Sequence, residues 1–214
     1  MKKIIVSLVV LLTLSFGNTI DKAKAYYEKG DYTSAFNIFE KLASNNDMVA
    51  QNFLGLMYRN GYGVQKDIQK AVELFKKSAD QGNVNAQVNL GILYQNGYGV
   101  QKDDKKAVEW YKKAADQGNA DAQVNLGSMY YKGEGVQKDI KQAAQWYKKA
   151  ADQGSQVAKT MLSLLHLEGE LEKAKKAARD SLDEESPFDL GMMYLNEKDY
   201  KQAVEWFKKS ANQG

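Results

Sequence analysis

The sequence predicts an all-α solenoid of stacked helix pairs, and three observations carry that prediction. Residues 51–86, 87–122 and 123–158 align without a gap at a period of 36 residues, with about 24 positions identical between neighbours, and self-similarity at such a period marks a repeat array. Apolar residues within each unit recur at intervals of three and four, which is the spacing of one helical face rather than of a strand. One proline beside 17 glycines suits helices punctuated by glycine better than a β-rich fold, whose turns usually use several prolines.

The chain begins with an address. Met1-Lys2-Lys3 and the apolar run from Ile4 to Leu14 read as a secretory signal peptide rather than the alternative, an uncleaved membrane anchor, because about 11 apolar residues are too few to span a bilayer comfortably. Two cleavage positions fit, after Gly17 and after Ala25. The cut after Gly17 is preferred, since it leaves Asn18 as an N-cap with Asp21 three residues on, whereas the later cut would remove most of a helix. The protein is therefore expected to be bacterial and exported, periplasmic or secreted, meeting the membrane only during export. The formal net charge is +3, and removing residues 1–17 takes away Lys2 and Lys3 and no acid. The nearly neutral remainder has no electrostatic footprint for nucleic acid or an anionic membrane.

Residues 18–50 carry Tyr26, Gly30-Asp31-Tyr32, Ala35 and Phe39 and read as a helix pair with a short turn. The three units of 51–158 share a longer plan. The first helix buries a stripe such as Ala86, Leu90 and Tyr94; a loop such as Gly97-Tyr98-Gly99-Val100 follows; the second helix buries Ala107, Val108, Tyr111, Ala114 and Ala115. Asp67, Asp103 and Asp139 stand where a side-chain oxygen caps the second helix, and Gly82, Gly118 and Gly154 follow its last turn. Gly55, Gly91 and Gly127 lie inside the first helices, where a missing side chain lets the paired helix approach closely.

Residues 159–185 read as a degenerate unit. Ser163 replaces the glycine, and Glu170-Leu171-Glu172-Lys173-Ala174 is expected to begin a second helix after a shortened turn. Residues 186–214 form a last pair, opened by Ser186-Pro187, with Lys198-Asp199-Tyr200 in place of the glycine loop and Ala203, Trp206, Phe207 and Ala211 on the core stripe. No polar extra helix follows Gly214, which leaves end-to-end self-association through the last repeat open.

The string Leu-Gly-x-x-Tyr, Gly-x-Gly-Val, Asp, Ala, Trp-Tyr-Lys-Lys-Ala-Ala and Gly resembles the Sel1-like repeat, a variant of the tetratricopeptide repeat. Leu54-Gly55, Leu90-Gly91 and Leu126-Gly127 carry its first helix, and Gly61/Gly63, Gly97/Gly99 and Gly133/Gly135 its lengthened loop. The stretches 18–50 and 186–214 lack that loop and are similar to ordinary tetratricopeptide units. The resemblance implies a right-handed superhelical solenoid of about six pairs, serving as a protein-interaction scaffold. It also implies that first helices line a concave groove that takes a peptide or protein segment. Transferred through the Leu-Gly pair, the groove register picks out Asn52, Asn89 and Asn125, whose amides offer donor and acceptor to an extended main chain. Beside them runs an apolar row of Leu56, Val88, Ile92, Val124, Tyr131, Leu164, Met192 and Leu195. The same apolar row has a structural reading, as packing between successive first helices, and asparagines also cap local turns.

In repeat, export signal and size the chain further resembles the secreted, cysteine-rich Sel1-like proteins of Helicobacter, some described as binding or hydrolysing β-lactams. That resemblance implies a β-lactamase-like alternative, and the residue chemistry argues against it. Zero cysteines exclude those relatives' disulfides, thiolate zinc sites, iron–sulfur clusters, a cysteine nucleophile and a lipid-anchor cysteine. No serine has a lysine three residues later, so the Ser-x-x-Lys pair is missing.

The single His166 cannot start a zinc site; standing at the place of Tyr94 and Tyr130, it reads as a packed or capped imidazole rather than a catalytic base. Glu168, Glu170, Glu172, Asp183, Glu184 and Glu185 read as a solvated acidic face. The lysine pairs at 76–77, 112–113, 148–149 and 208–209 read as solubilising, with their stems over apolar surface. No catalytic residue, metal or cofactor is expected.

Overall fold

The structure is a computed structural model and describes residues 19–182 and 187–212. The leader 1–17, Asn18, the acids Asp183, Glu184 and Glu185, and Ser186 lie outside the described residues. All regular structure among the described residues is helical. Two compact units divide the chain, one running to Lys159 and the other beginning at Thr160.

The first unit holds α1 (19–28), α2 (Tyr32–Ser44), α3 (Met48–Asn60), α4 (Ile68–Asp80), α5 (Val84–Asn96), α6 (Asp104–Asp116), α7 (Ala120–Lys132) and α8 (Ile140–Asp152). Pairing follows the repeat: α3 packs on α4, α5 on α6 and α7 on α8, and the pairs stack in chain order through α2 on α3, α4 on α5 and α6 on α7. The start of each second helix is fixed by its aspartate. Asp67, Asp103 and Asp139 accept from the backbone N–H groups of Lys70, Lys106 and Gln142 at 2.9, 3.0 and 3.0 Å, satisfying donors that a helix start leaves without an intrahelical partner. The first helices carry equivalent caps, with Asp47, Asn83 and Asn119 accepting from Ala50, Ala86 and Ala122.

The core is a file of rings at the repeat spacing. Phe39, Phe75, Tyr111 and Tyr147 are wholly buried, each contributing about 1.5–3 kcal/mol of apolar transfer. Three of these rings lie on first-helix glycines. A Cβ on Gly55 or Gly127 would stand 2.8 Å from the ring of Phe75 or Tyr147, and one on Gly91 would overlap Tyr111. Burial pushes the Tyr111 phenol well above its ordinary pKa, and its O–H donates to Gln95 Oε1 at 2.9 Å. Tyr147 is raised by the same cause and lies 3.0 Å from the Ser128 hydroxyl. The loop glycines then join unit to unit: a Cβ on Gly63 would press on Tyr32, one on Gly99 on Ile68 and one on Gly135 on the Asp104 backbone.

One expected turn is not there. Residues 156–182 form a single helix of 27 residues, α9 (Gln156–Leu182), where a shortened turn was expected before Glu170. Leu167-Glu168-Gly169-Glu170 offers one glycine, with open space around it, and not the paired glycines that reverse the chain in the three 36-residue units. Across this stretch Lys173 Nζ pairs with Glu170 at 2.9 Å, one helical turn away. The second unit ends in α10 (Pro187–Asn196) and α11 (Tyr200–Ala211), which pack on each other with Leu190 and Ala203 buried. Here too a first-helix glycine, Gly191, lies against a second-helix ring, Phe207.

Candidate binding surface

Four residues apart on α5, Val88 and Ile92 fall on one helical face. With Asp121, Val124 and Asn125 of α7, and with Ser155 and Val157 at the start of α9, they line a hollow of about 390 Å³. Three successive first helices thus contribute to one concavity with an apolar floor. Asn125 is half-buried there, and among the described residues nothing hydrogen-bonds its side chain.

The other two asparagines are engaged. Asn52 is buried, Asn89 Nδ2 donates to Asn52 Oδ1 at 3.2 Å, and Arg59 Nη1 donates to Asn89 Oδ1 at 3.0 Å. Asn52 and Asn89 lie 37 residues apart, one more than the repeat, so they occupy adjacent rather than equivalent positions. That offset lets one amide bond the other. Of the apolar row, Leu56 packs into the core, and Tyr131 is half-buried with Lys138 Nζ 5.7 Å from its ring centre. Leu164, Met192 and Leu195 are exposed and belong to the second unit.

A second hollow, of about 550 Å³, is lined by Arg59 and Asn60 at the end of α3, Lys66, Ile68, Ile92, Leu93 and the loop Gly97-Tyr98-Gly99. Ile92 belongs to both hollows, so they adjoin. Arg59 escapes the repeat pattern, because the equivalent positions hold Gln95 and Tyr131. Near it, burial pushes the Tyr27 phenol up, with Tyr32 and Tyr62 adding to that and Arg59 opposing it.

Buried glutamines stitch the wall from behind. Gln81, Gln117 and Gln153 donate to Gln51, Gln87 and Gln123 at 2.7, 2.8 and 2.8 Å within each pair. Gln87 and Gln123 in turn donate to the carbonyls of Ala79 and Ala115 in the pair before, at 3.3 and 3.2 Å. Their recurrence at the repeat spacing was the signal that marks them. On the outer side the second lysine of three pairs covers a tryptophan face: Lys113 over Trp110 and Lys149 over Trp146 at 3.9 Å, Lys209 over Trp206 at 4.2 Å.

His166 is exposed rather than packed. Tyr94 and Tyr130 are covered because their chains fold back after the loop, whereas α9 continues along its own axis. Glu168, Glu170 and Glu172 are exposed, and the Lys173 ammonium holds the Glu170 carboxyl below its ordinary pKa. Among the described residues no three His, Cys, Asp or Glu side chains gather as a metal site. No described helix is long and apolar enough to cross a membrane.

Helix pairs of one plan, stacked in sequence and stitched by equivalent glutamines at the α4–α5 and α6–α7 junctions, define a helical-repeat solenoid. The Sel1 repeat profile matches residues 49–83, 84–119, 120–155 and 188–214, and the chain belongs to the Sel1 repeat family. It is similar to the crystal structure of a Sel1 repeat protein from Oxalobacter formigenes, at 30% identity and a TM-score of 0.68 over 92% of this chain and 83% of that one. A protective antigen of uropathogenic Escherichia coli with the same repeat fold is also 30% identical, at a TM-score of 0.64 over 91% of this chain and 49% of its own length. The cysteine-rich protein B of Helicobacter pylori is 31% identical at a TM-score of 0.50, over 62% of this chain and 95% of that one. No match is found among curated proteins. Sel1-repeat proteins in general serve as protein-interaction scaffolds.

Proposed function

We propose that this protein is an exported scaffold that holds an extended segment of a partner protein against the first helices of its array. The observation that carries the proposal is the hollow shared by α5, α7 and the start of α9, where Val88, Ile92 and Val124 form an apolar floor beside the unbonded amide of Asn125. An extended segment needs both, since its main chain uses an amide and its alternate side chains use the floor. Export rests on Met1-Lys2-Lys3 and the apolar run that follows.

A photo-crosslinking residue placed at Val124, and separately at the exposed Glu109 of α6, tests the surface in the native host. An adduct with another protein from position 124 and none from 109 is expected; equal labelling from both, or none from either, would overturn the proposal. Fractionating the same cells tests export, which predicts a chain shortened at its N-terminus outside the cytoplasm.

A further inference from the structure

We infer that the hollow at the first glycine loop reads an acidic side chain next to an aliphatic one in the bound segment, through Arg59 and Lys66. The inference rests on the wall being a segment-binding surface, and it names the chemistry of what binds.

Charge is the first argument. The hollow has two cations and no carboxylate among its lining residues. The Arg59 guanidinium is half-buried, yet its bonds go to neutral amides, Asn89 Oδ1 at 3.0 Å and Asn60 Oδ1 at 3.3 Å. Neutral amides orient a guanidinium without cancelling its charge, and the two hydrogens of Nη2 with one of Nη1 remain for a carboxylate. Lys66 has no ion pair among the described residues, although its equivalents are partnered: Lys102 pairs with Asp104 at 3.5 Å, and Lys138 lies 5.7 Å from the Tyr131 ring centre. Asp67, between Lys66 and Ile68, is committed to capping α4 at 2.9 Å from the Lys70 nitrogen.

Comparison along the array is the second argument. The positions of Arg59, Ile68 and Tyr98 are held one unit later by Gln95, Asp104 and Glu134. The corresponding place there carries acids, so the cationic character belongs to this one junction.

Geometry is the third. Ile68, Ile92, Leu93 and the 58% exposed Tyr98 give the charged pair an apolar seat, and Ile92 also lines the wall hollow, so the two hollows share a side chain. Asn52 and Asn89 are positioning residues that hold the guanidinium toward this seat.

Fluorescence anisotropy with the full chain tests the inference, using a labelled Gly-Glu-Leu-Glu-Leu-Glu-Leu-Gly peptide and its lysine counterpart, each glutamate replaced by lysine. The acidic peptide should bind, more weakly as salt rises, and the basic one should not. Arg59→Gln, which installs the residue of the next unit, should lower affinity about tenfold, and adding Lys66→Gln should lower it further, with helicity by circular dichroism unchanged. Asn89→Ala should weaken acidic binding while leaving its Glu-over-Lys preference in place.

Failure to bind the acidic peptide, equal binding of both peptides, or acidic binding indifferent to Arg59→Gln would each overturn the inference. Val124→Glu separates the two levels. If it abolishes binding that Arg59→Gln leaves untouched, the wall stands and the charge reading falls.

Discussion

The second repeat turns back on itself after α5, whereas α9 runs straight through the place where its unit was expected to turn. Outside the glycine loop both stretches favour helix. The difference lies in three local devices. In the repeat, Gly97 closes α5 at φ 71°, Asp103 starts α6, and Gly91 leaves room for the Tyr111 ring to close the pair. In α9 the third device is lost to Ser163, and Gly169 stands alone. A helix pair in this protein is made by its interruptions, and without them the chain continues as one helix.

The comparison breaks most visibly at its glycines, which should respond with opposite signs. Gly91→Leu forces a side chain into the Tyr111 ring, and a loss of about 3 kcal/mol is expected, seen as a fall in melting temperature of roughly 10 °C. An unchanged melting temperature would show that α5 and α6 can close without that contact. Smaller in effect, Gln123→Ala removes the nearer acceptor of the Gln153 amide and one of the donors to the Ala115 carbonyl, which keeps the Gly118 N–H, and should cost about 1 kcal/mol, read by chemical denaturation. A loss confined to hydrogen-exchange protection at the junction of α6 and α7 would sharpen the picture to a local stitch. Smallest and of the opposite sign, Gly169→Ala adds a methyl in open space within a helix and should gain about 0.7 kcal/mol. A destabilised Gly169→Ala would mean that α9 needs its glycine as a hinge.

Why the array was legible and α9 was not follows from repetition. Every signal of a pair occurs three times between Gln51 and Ala158, so caps, loops and stripes corroborate one another. In residues 159–185 each signal occurs once and altered, and the imidazole of His166 was misplaced with the turn. Val88, Ile92, Val124 and Asn125, named through the same register, line one hollow. Asn52 and Asn89 were set in one row although the gapless register aligns Asn52 with Val88 and Phe53 with Asn89, and an offset of one residue decides whether two amides face outward or bond each other. Arg59 was invisible for the converse reason: it occurs at one unit only, and repeat analysis is blind to what does not repeat.

The junction contacts have a genealogical consequence. Since Gln87 and Gln123 meet the preceding pair through equivalent carbonyls, and Gly99 and Gly135 press on equivalent helix starts, a chain lacking residues 87–122 would present Gln123 to Ala79 and Gly135 to Ile68 with no new kind of seam. Duplication and loss of a whole unit are thereby neutral to the joint, so the number of units is free to drift between lineages. The splice is not neutral to the hollow at Arg59. It would set Glu134 where Tyr98 stands, and an array shortened by one unit would keep its architecture while placing a carboxylate among the cations of that hollow.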